Sequence, residues 1–350
     1  MVCQHGSEAI VKKHWVQAEG QLKLAYSRPG LVTLKVADGS DPADLAARLA
    51  GDWVVRHVGG SIGNVVGEQT GPMIQQLWEL AGDQWDAIHV FERDLHLPGS
   101  RGFEPGRSEL AEAVAGLITE SLAAKSLSIP VNQTCAAGNR VLNVMLVEPG
   151  RWLVGQHTAS RPQSCWPGGV PPIKVPAEMI SRAYLKMSEA LAWSQLPIEA
   201  GDRIVEIGSS PGGACQRLLD MGLRVTGIDP AEMDSLLADH PRFEHWQSKS
   251  SGVRRKRFRP FRWLAADANV APNYTLDAVQ DIVLYPTTRI QGMLLTFKLS
   301  KSEIADQFEE YRRRIKDWGF DRVEFRQLAT NRSECCVVAQ RNKRPPRVKA

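Results

Sequence analysis

Apolar and polar positions alternate along the second half of the chain in a way that is typical of an α/β domain. Short apolar runs predict strands at 203–208, 224–228, 243–246, 261–266 and 293–299. Apolar residues at helical spacing predict helices at 177–194, 214–221, 233–239, 276–284 and 302–318. Two further strands, at 323–328 and 334–340, are separated by a short hairpin turn. This order predicts five alternating β/α units that close in an antiparallel hairpin, a sheet of seven strands.

The first half of the chain has a different order of elements. A helix at 6–15, strands at 21–26 and 31–36, a helix at 42–49 and a strand at 52–58 suggest a small α+β sandwich. Helices at 72–78 and 109–125, a strand at 87–92 and a hairpin of 140–147 with 152–156 follow. Residues 1–157 are therefore predicted to form one composite α+β region, with subdomains at 1–68 and 69–157.

A segment dense in proline and glycine, TASRPQSCWPGGVPPIKVP at 158–176, is predicted to be the linker to the second domain. Trp166 and Ile173 are expected to be buried, so the linker should not be loose. The second domain is predicted at 177–342, and a basic tail at 343–350.

Composition excludes several classes of protein. Hydrophobic residues make up 43% and charged residues 23% of the chain, as in ordinary globular proteins, and apolar runs stay well short of the ~20 residues of a membrane span. The first 15 residues lack the apolar core of a signal peptide. The six cysteines show no C-x-x-C spacing, which argues against a zinc site or a disulfide framework. We therefore expect a cytoplasmic protein without a metal or a membrane partner, and a monomer, although the sequence does not determine the oligomeric state.

Residues 203–229 combine a strand, a glycine-rich loop, a helix, a second strand and an acid, which is half of a Rossmann-like nucleotide-binding sheet. The candidate cofactor-binding residues are Glu206, Gly208, Ser209, Ser210, Pro211, Gly212, Gly213 and Asp229. Pro211 restricts one φ angle and removes an N–H donor, so the loop is poorly suited to a pyrophosphate. This favours S-adenosylmethionine over a dinucleotide. An ordinary turn between a strand and a helix remains the alternative.

Four polar residues are predicted at places where such a sheet brings side chains together. Lys186 precedes the sheet, Asp267 follows the fourth strand, Lys298 ends the fifth strand and Glu334 begins the last one. Two partly desolvated lysines lower each other's proton affinity, so one of them could be neutral and act as a base. This suits methyl transfer to a ribose 2′-hydroxyl, with Lys298 as the base.

In this interpretation Asp267 orients Lys298 and faces the cofactor, while Lys186 and Glu334 position the hydroxyl group. The alternative is a structural network of ion pairs.

Positive charge is concentrated in two segments, although the net charge is only +4. The first segment carries Arg254, Arg255, Lys256, Arg257, Arg259 and Arg262, interleaved with two phenylalanines. The second is the C-terminal RNKRPPRVKA. Arginines beside aromatic rings suit phosphates and unstacked bases, so we predict RNA binding. A solvated loop and a disordered tail are the alternative.

The histidines of the first half are dispersed along the sequence, at His5, His14, His57, His89, His96 and His157. We interpret each as a surface residue or as a core residue with its hydrogen bonds satisfied, because no spacing typical of metal ligands connects them.

These motifs together resemble the FtsJ-like ribose 2′-O-methyltransferases. The order Lys186, Asp267, Lys298, Glu334 is similar to the Lys-Asp-Lys-Glu tetrad of that family, and the loop at 208–213 resembles its Gly-x-x-Pro-Gly-Gly loop. The resemblance implies a class I methyltransferase fold, S-adenosylmethionine as cofactor and a ribose in RNA as substrate. Parts of 1–157 also resemble the ferredoxin-like and THUMP segments of family members that methylate a cytidine ribose in 23S rRNA, where the THUMP region helps to hold RNA.

The sequence departs from the family pattern at two places. Gln247-Ser248-Lys249-Ser250 stands where relatives carry an acid for the adenine amino group, and the basic insertion at 254–262 is unusually long.

Two other functions remain open. One is a ribosome-assembly factor that binds RNA and retains the fold without catalysis. The other is a methyltransferase for DNA bases or small molecules, which the sequence Asp267-Ala268-Asn269-Val270 disfavours because it lacks the expected Pro-Pro-aromatic motif.

Overall fold

The structure is a computed structural model that describes residues 1–17, 22–36, 42–106, 108–299 and 306–342. The chain divides into two compact units, Met1–Pro172 and Ile173–Ala350. The predicted basic tail at 343–350 and the first residues of the helix predicted at 302–318 lie outside the described residues.

The first unit begins with a four-stranded antiparallel sheet. Its elements are β1 (Val2–Cys3), α1 (Glu8–Lys12), β2 (Leu22–Arg28), β3 (Leu31–Val36), α2 (Pro42–Gly51) and β4 (Val55–His57). The strand order is β2-β3-β1-β4, so the short β1 lies in the middle of the sheet. Sequence reasoning missed β1 because two residues are too short to show an alternating pattern. Its Cys3 is fully buried in the core beside Val11 and Val55.

A second four-stranded sheet follows in the same unit. Its elements are β5 (Gly60–Val66), α3 (Thr70–Ala81), β6 (Ala87–Glu92), α4 (Glu109–Ala124), β7 (Arg140–Glu148) and β8 (Arg151–Thr158), with strand order β5-β8-β7-β6. The predicted hairpin and both helices are present. Strand β5 was not predicted, because its glycines interrupt the alternation of apolar residues. Ser108 caps α4 by accepting a hydrogen bond from Ala111 N at 3.1 Å.

Residues 158–172 pack into the first unit through two short 3₁₀ turns, Pro162–Cys165 and Pro167–Gly169. Trp166 is 7% exposed, which confirms its expected burial, whereas Ile173 is only half-buried. Gly169 has φ 77°, and a Cβ atom there would lie 2.7 Å from Arg56 O. The close approach of two backbones therefore requires glycine at this position.

The second unit is built on a seven-stranded sheet with helices between the strands. In chain order its elements are α5 (Ala183–Ser194), β9 (Arg203–Ile207), α6 (Gly213–Asp220), β10 (Arg224–Ile228), α7 (Ser235–Ala238), β11 (Phe243–Trp246), β12 (Trp263–Ala266), α8 (Pro272–Val283), β13 (Gly292–Lys298), α9 (Phe308–Asp317), β14 (Arg322–Arg326) and β15 (Glu334–Gln340). The strand order is β11-β10-β9-β12-β13-β15-β14. Strands β9 to β13 are parallel, and β15 runs antiparallel to both of its neighbours. The predicted sheet of seven strands with a closing hairpin is confirmed.

This topology brings the carboxyl ends of five parallel strands to one edge of the sheet. Because β15 is antiparallel, its first residue lies at the same edge, where Glu334 pairs with Lys298. Helix α5 begins later than predicted, at Ala183 rather than 177. Among the helices that the structure describes, none combines the length and the apolar character needed to cross a membrane.

Candidate active site

The four polar residues predicted from the sequence converge at this edge of the sheet. Lys298 Nζ donates hydrogen bonds to Asp267 Oδ1 at 3.1 Å and to Glu334 Oε1 at 2.6 Å. Lys186 Nζ lies 3.4 Å from Asp267 Oδ2 and 2.6 Å from Glu334 Oε2. Each lysine therefore contacts both carboxylates, and the four charges alternate around a ring. We call these four residues the tetrad.

The elements explain the convergence. Lys186 lies in the first turns of α5, Asp267 directly follows β12, Lys298 is the last residue of β13, and Glu334 is the first of β15. Their side chains are between 11% and 23% exposed, so the ring is partly desolvated but still reaches solvent.

Electrostatics within the tetrad differ from the sequence-based expectation. Burial lowers the pKa of Lys298, but the carboxylates of Asp267 and Glu334 raise it more, and the net pKa lies above the ordinary value. Burial raises the pKa of Glu334, but Lys186 and Lys298 lower it more, so that carboxyl group is ionised. The expectation that a neighbouring lysine lowers the pKa of the proposed base is therefore wrong for Lys298, because two carboxylates lie beside its amino group.

A small cavity of about 30 Å³ adjoins the tetrad. Lys186, Asp267 and Glu206 contribute polar groups to its wall, and much of the remaining wall is alanine, at positions 183, 190, 214, 265 and 266. The small alanine side chains leave this space open beside the charged ring.

The glycine-rich loop lies at the same edge of the sheet. Gly208 has φ 78°, and a Cβ atom there would lie 2.7 Å from Asp267 O, so the loop passes directly over the residue that follows β12. Ser210 N donates to Asp229 Oδ2 at 3.2 Å, and Ala231 N donates to Asp229 Oδ1 at 2.8 Å. The predicted cofactor loop, the acid after β10 and the tetrad are thus brought together.

The other loop residues have distinct surroundings. Ser209 and Gly212 are buried and Pro211 is exposed, with a cis bond between Ser210 and Pro211. A Cβ atom on Gly213 would clash with Ser181 Oγ and lie 2.9 Å from Ser181 O, so only glycine allows α6 to begin this close to the segment that leads into α5.

Glu206, on β9, is 2% exposed. Burial raises its pKa to about 8, a donated hydrogen bond from Cys215 Sγ (2.9 Å) opposes this, and the charges of Asp267 and Asp229 add to the rise. Glu206 is therefore mostly protonated at neutral pH, which sequence reasoning did not foresee.

The structure separates the six residues of the predicted RNA-binding segment into two groups. Arg254, Lys256 and Arg259 are exposed. The other three contact the protein: Arg255 donates to Ser250 O and Val253 O, Arg257 is exposed but lies 3.8 Å over the ring of Trp246, and Arg262 lies 3.5 Å from Asp202.

Arg262 is placed away from the tetrad. It immediately precedes β12, and its N–H donates to Arg203 O at the start of β9, so it lies at the amino edge of the sheet. The tetrad lies at the carboxyl edge.

Three histidines that are far apart in sequence meet in the first unit. The ring of His157 lies 4.7 Å from that of His57 and 6.1 Å from that of His89, measured between centroids. We call them the histidine cluster. The sequence contained no signal for it, because its members come from β4, β6 and β8, which belong to two different sheets. Across the described parts of the chain, no group of three or more His, Cys, Asp or Glu residues could hold a metal ion.

Comparison with known families finds one that is similar to the segment containing the tetrad. Residues 179–334 match the model of the FtsJ-like methyltransferase family, and all four tetrad residues lie inside the match. Ribosomal RNA large subunit methyltransferase M from Thauera aminoaromatica is 29% identical over 208 residues, which are 57% of this chain and 55% of that protein.

The protein of the same name from Halorhodospira halophila is 35% identical over 113 residues, 30% of this chain and 32% of that protein. The chain thus spans about half the length, or less, of the curated relatives it matches. Among solved structures, a Methanococcus jannaschii fibrillarin pre-rRNA processing protein covers 58% of this chain and 84% of its own, with 11% identity and a TM-score of 0.37, which is too low to support a functional argument.

Proposed function

We propose that this chain is an enzyme that transfers a methyl group from S-adenosylmethionine to the 2′-hydroxyl of a ribose in RNA, with a cytidine of 23S rRNA as the substrate. The observation that carries the proposal is the tetrad, two lysines alternating with two carboxylates at the carboxyl edge of the sheet. The family match of residues 179–334 and the names of the rRNA-methylating relatives support the reaction and the class of substrate.

The residues at this edge fit the cofactor. Gly208 and Gly213 let the loop lie close to Asp267 and to the segment before α5. Each oxygen of Asp229 keeps a lone pair for a ribose diol besides the bond it accepts from the backbone. When bound, S-adenosylmethionine supplies a methyl group that is activated by a positively charged sulfur. We propose that residues 206–213, Asp229 and Asp267 hold it.

Within the tetrad we propose that Lys298 accepts the proton of the ribose hydroxyl. It starts from the protonated form, because Asp267 and Glu334 raise its pKa, and it must lose that proton before it acts as a base. Asp267 keeps its amino group oriented, and Lys186 and Glu334 hold the hydroxyl group in line for transfer.

We propose that the first unit and the exposed basic residues bind RNA. The order β-α-β-β-α-β in 1–57, with the sheet order β2-β3-β1-β4, supports a ferredoxin-like subdomain at 1–68, followed by a THUMP-like region at 69–157. Within the basic segment at 254–262, Arg254, Lys256 and Arg259 are exposed and can reach phosphates, whereas Arg262 lies at the opposite edge of the sheet. We propose that the protein acts in the cytoplasm, because its proposed substrate is rRNA.

One observation favours a second candidate. Each lysine of the tetrad already contacts two carboxylates, as it would in a structural network of ion pairs. A factor that binds RNA during ribosome assembly, and retains the fold without catalysis, would show the same arrangement.

Mapping of ribose methylation separates these two functions. Total rRNA from cells with and without the gene is cleaved by alkali, which spares the bond next to a 2′-O-methyl group. We expect one cytidine of 23S rRNA to lose its protection in the deletion strain and to regain it with the wild-type gene, but not with Lys298→Met. A deletion strain with full protection at every rRNA position would reject the rRNA substrate.

A further inference from the structure

A buried carboxyl group on α5 ties this helix to the loop that precedes β15. Glu189 is 3% exposed. Its Oε1 accepts a hydrogen bond from Ala329 N at 2.8 Å, and its Oε2 accepts from Thr330 N at 2.8 Å and from Thr330 Oγ1 at 2.7 Å. Burial of such a group is costly without partners, and backbone N–H groups that donate to a carboxylate form strong hydrogen bonds. Residues 329–330 are therefore held firmly against α5.

This connection lies next to the tetrad on both chain segments. Lys186 precedes Glu189 by three positions, so the two side chains leave neighbouring positions on one face of α5. Glu334 follows Thr330 by four positions. Arg182, just before α5, also donates to Thr330 O, at 3.1 Å. The loop is thus contacted by Arg182, which precedes Lys186 in the sequence, and by Glu189, which follows it.

We propose that Glu189 is a positioning residue, which keeps Lys186 in contact with Glu334 by holding residues 329–330 against α5. Its kinetic consequence rests on the proposed function. Glu189 acts through Lys186 and Glu334 and does not itself touch the substrate. A shift of about 1 Å in a catalytic constellation can cost about 100-fold in rate, so the spacing of these two residues matters for turnover.

The kinetic test uses Glu189→Gln and Thr330→Val. Glutamine keeps the shape but places an amide nitrogen opposite a backbone N–H, and we expect kcat to fall about 10- to 100-fold. Valine removes only the hydroxyl bond, and we expect a fall of about fivefold. The Kd for S-adenosylmethionine and the KM for RNA should stay within about twofold, because the loop at 208–213 is unchanged.

Ile315→Ala is the matched control for lost stability. Ile315 is fully buried on α9 and belongs to neither the tetrad nor the cofactor loop, so the variant weakens the fold and leaves kcat unchanged below its Tm. If Glu189→Gln behaves as Ile315→Ala does, with a lower Tm and full kcat, the positioning role is rejected.

A structural readout tests the inference without any substrate. In a crystal structure of Glu189→Gln we expect the distance between Lys186 Nζ and Glu334 Oε2, now 2.6 Å, to exceed about 4 Å, where an ion pair is lost. An unchanged distance overturns the positioning role. If the wild type methylates no RNA, the proposed function fails, and this distance still decides the role of Glu189. If Glu189→Gln does not fold, the same distance is measured in Thr330→Val.

Discussion

Each unit of the chain buries a cluster of ionisable side chains, and the two clusters balance their charges in different ways. In the tetrad, positive and negative groups alternate, and the pKa values of Lys298 and Glu334 shift in the directions that keep both charged. In the histidine cluster, bases face one another, and burial is the main cause that lowers the pKa of His57, of His89 (to about 4) and of His157. Lys298 and Glu334 are therefore charged at neutral pH, whereas the histidine cluster is neutral.

The surroundings of the two clusters explain this difference. The tetrad lies where strands end, keeps 11–23% of its side-chain surface exposed and adjoins a cavity. His57 and His89 are 5% and 0% exposed between two sheets. Next to His57 in sequence, Arg56 donates two hydrogen bonds of 2.7 Å to Asp94, and both residues are buried. The charged groups of the tetrad remain partly exposed to solvent and can take part in chemistry. The histidine cluster is largely closed to solvent and contributes to the packing of the first unit.

The largest expected effect is the loss of methyl transfer when Lys298 is replaced, which distinguishes a catalytic role of this residue from a structural one. Lys298→Met removes the proposed proton acceptor, and we expect methyl transfer to fall by about 10³-fold or more, with S-adenosylmethionine binding nearly unchanged. In the wild type, kcat should rise with pH above neutrality, because the base works only when deprotonated and its pKa is raised. Rapid-quench kinetics and calorimetric titration of the cofactor measure the two quantities.

His89→Gln is the matched control for that variant, because it alters the histidine cluster and should leave kcat within about twofold at a temperature where the protein is folded. If Lys298→Met loses cofactor binding along with activity, Lys298 is structural and the contrast between the two clusters disappears.

The sequence was sufficient to predict the positions of the tetrad but not its protonation. A lysine at the end of an apolar strand and acids after neighbouring strands indicate convergence, because parallel strands end at one edge. The pKa of Lys298 depends on carboxylates about 3 Å away, and this packing is set by contacts such as those of Glu189 with the loop before β15. The pattern of apolar residues likewise predicted the large sheet, whereas β1 is too short and β5 too rich in glycine to be recognised.

The histidine cluster could not have been predicted in the same way. His57, His89 and His157 come from strands of two sheets, and their meeting depends on how those sheets pack within the first unit. The sequence around a histidine in an apolar strand does not indicate which distant residue its side chain will contact.

The next prediction concerns the buried ion pair between Arg56 and Asp94 in the first unit. Asp94→Asn removes the countercharge of Arg56, although Arg56 keeps its hydrogen bond to Gly168 O. Because breaking a buried ion pair is strongly destabilising, we expect the free energy of unfolding to fall by about 3–5 kcal/mol. We expect Tm to fall while kcat below Tm is retained. Glu148→Gln is the control, because it removes the partner of Arg28 in an exposed pair and should leave Tm unchanged. Equal losses of stability in both variants would show that burial does not distinguish these pairs.

The smallest expected effect is an opposite pH dependence of stability in the two units. His89 has a folded pKa of about 4 against an ordinary 6.5, so between these values the unfolded chain binds a proton that the folded chain lacks, and stability falls as pH drops. Glu206 has a folded pKa of about 8 against 4.5, so between these values the folded chain holds a proton that the unfolded chain has released, and stability falls as pH rises. Each effect amounts to about 1.4 kcal/mol per pH unit at most.

Two variants isolate these effects in the full chain. His89→Gln keeps a donor for Gln133 O, which the ring nitrogen reaches at 3.2 Å, and should gain stability relative to the wild type as pH falls from 6.5 to 5. Glu206→Gln keeps an acceptor for the Cys215 thiol and should gain relative stability as pH rises from 5 to 8. Urea unfolding at these pH values, with hydrogen exchange in β6 and β9 to assign the unit, measures both. If both variants follow the wild type at every pH, burial does not shift the pKa of His89 or of Glu206, and this pH dependence is rejected in both units.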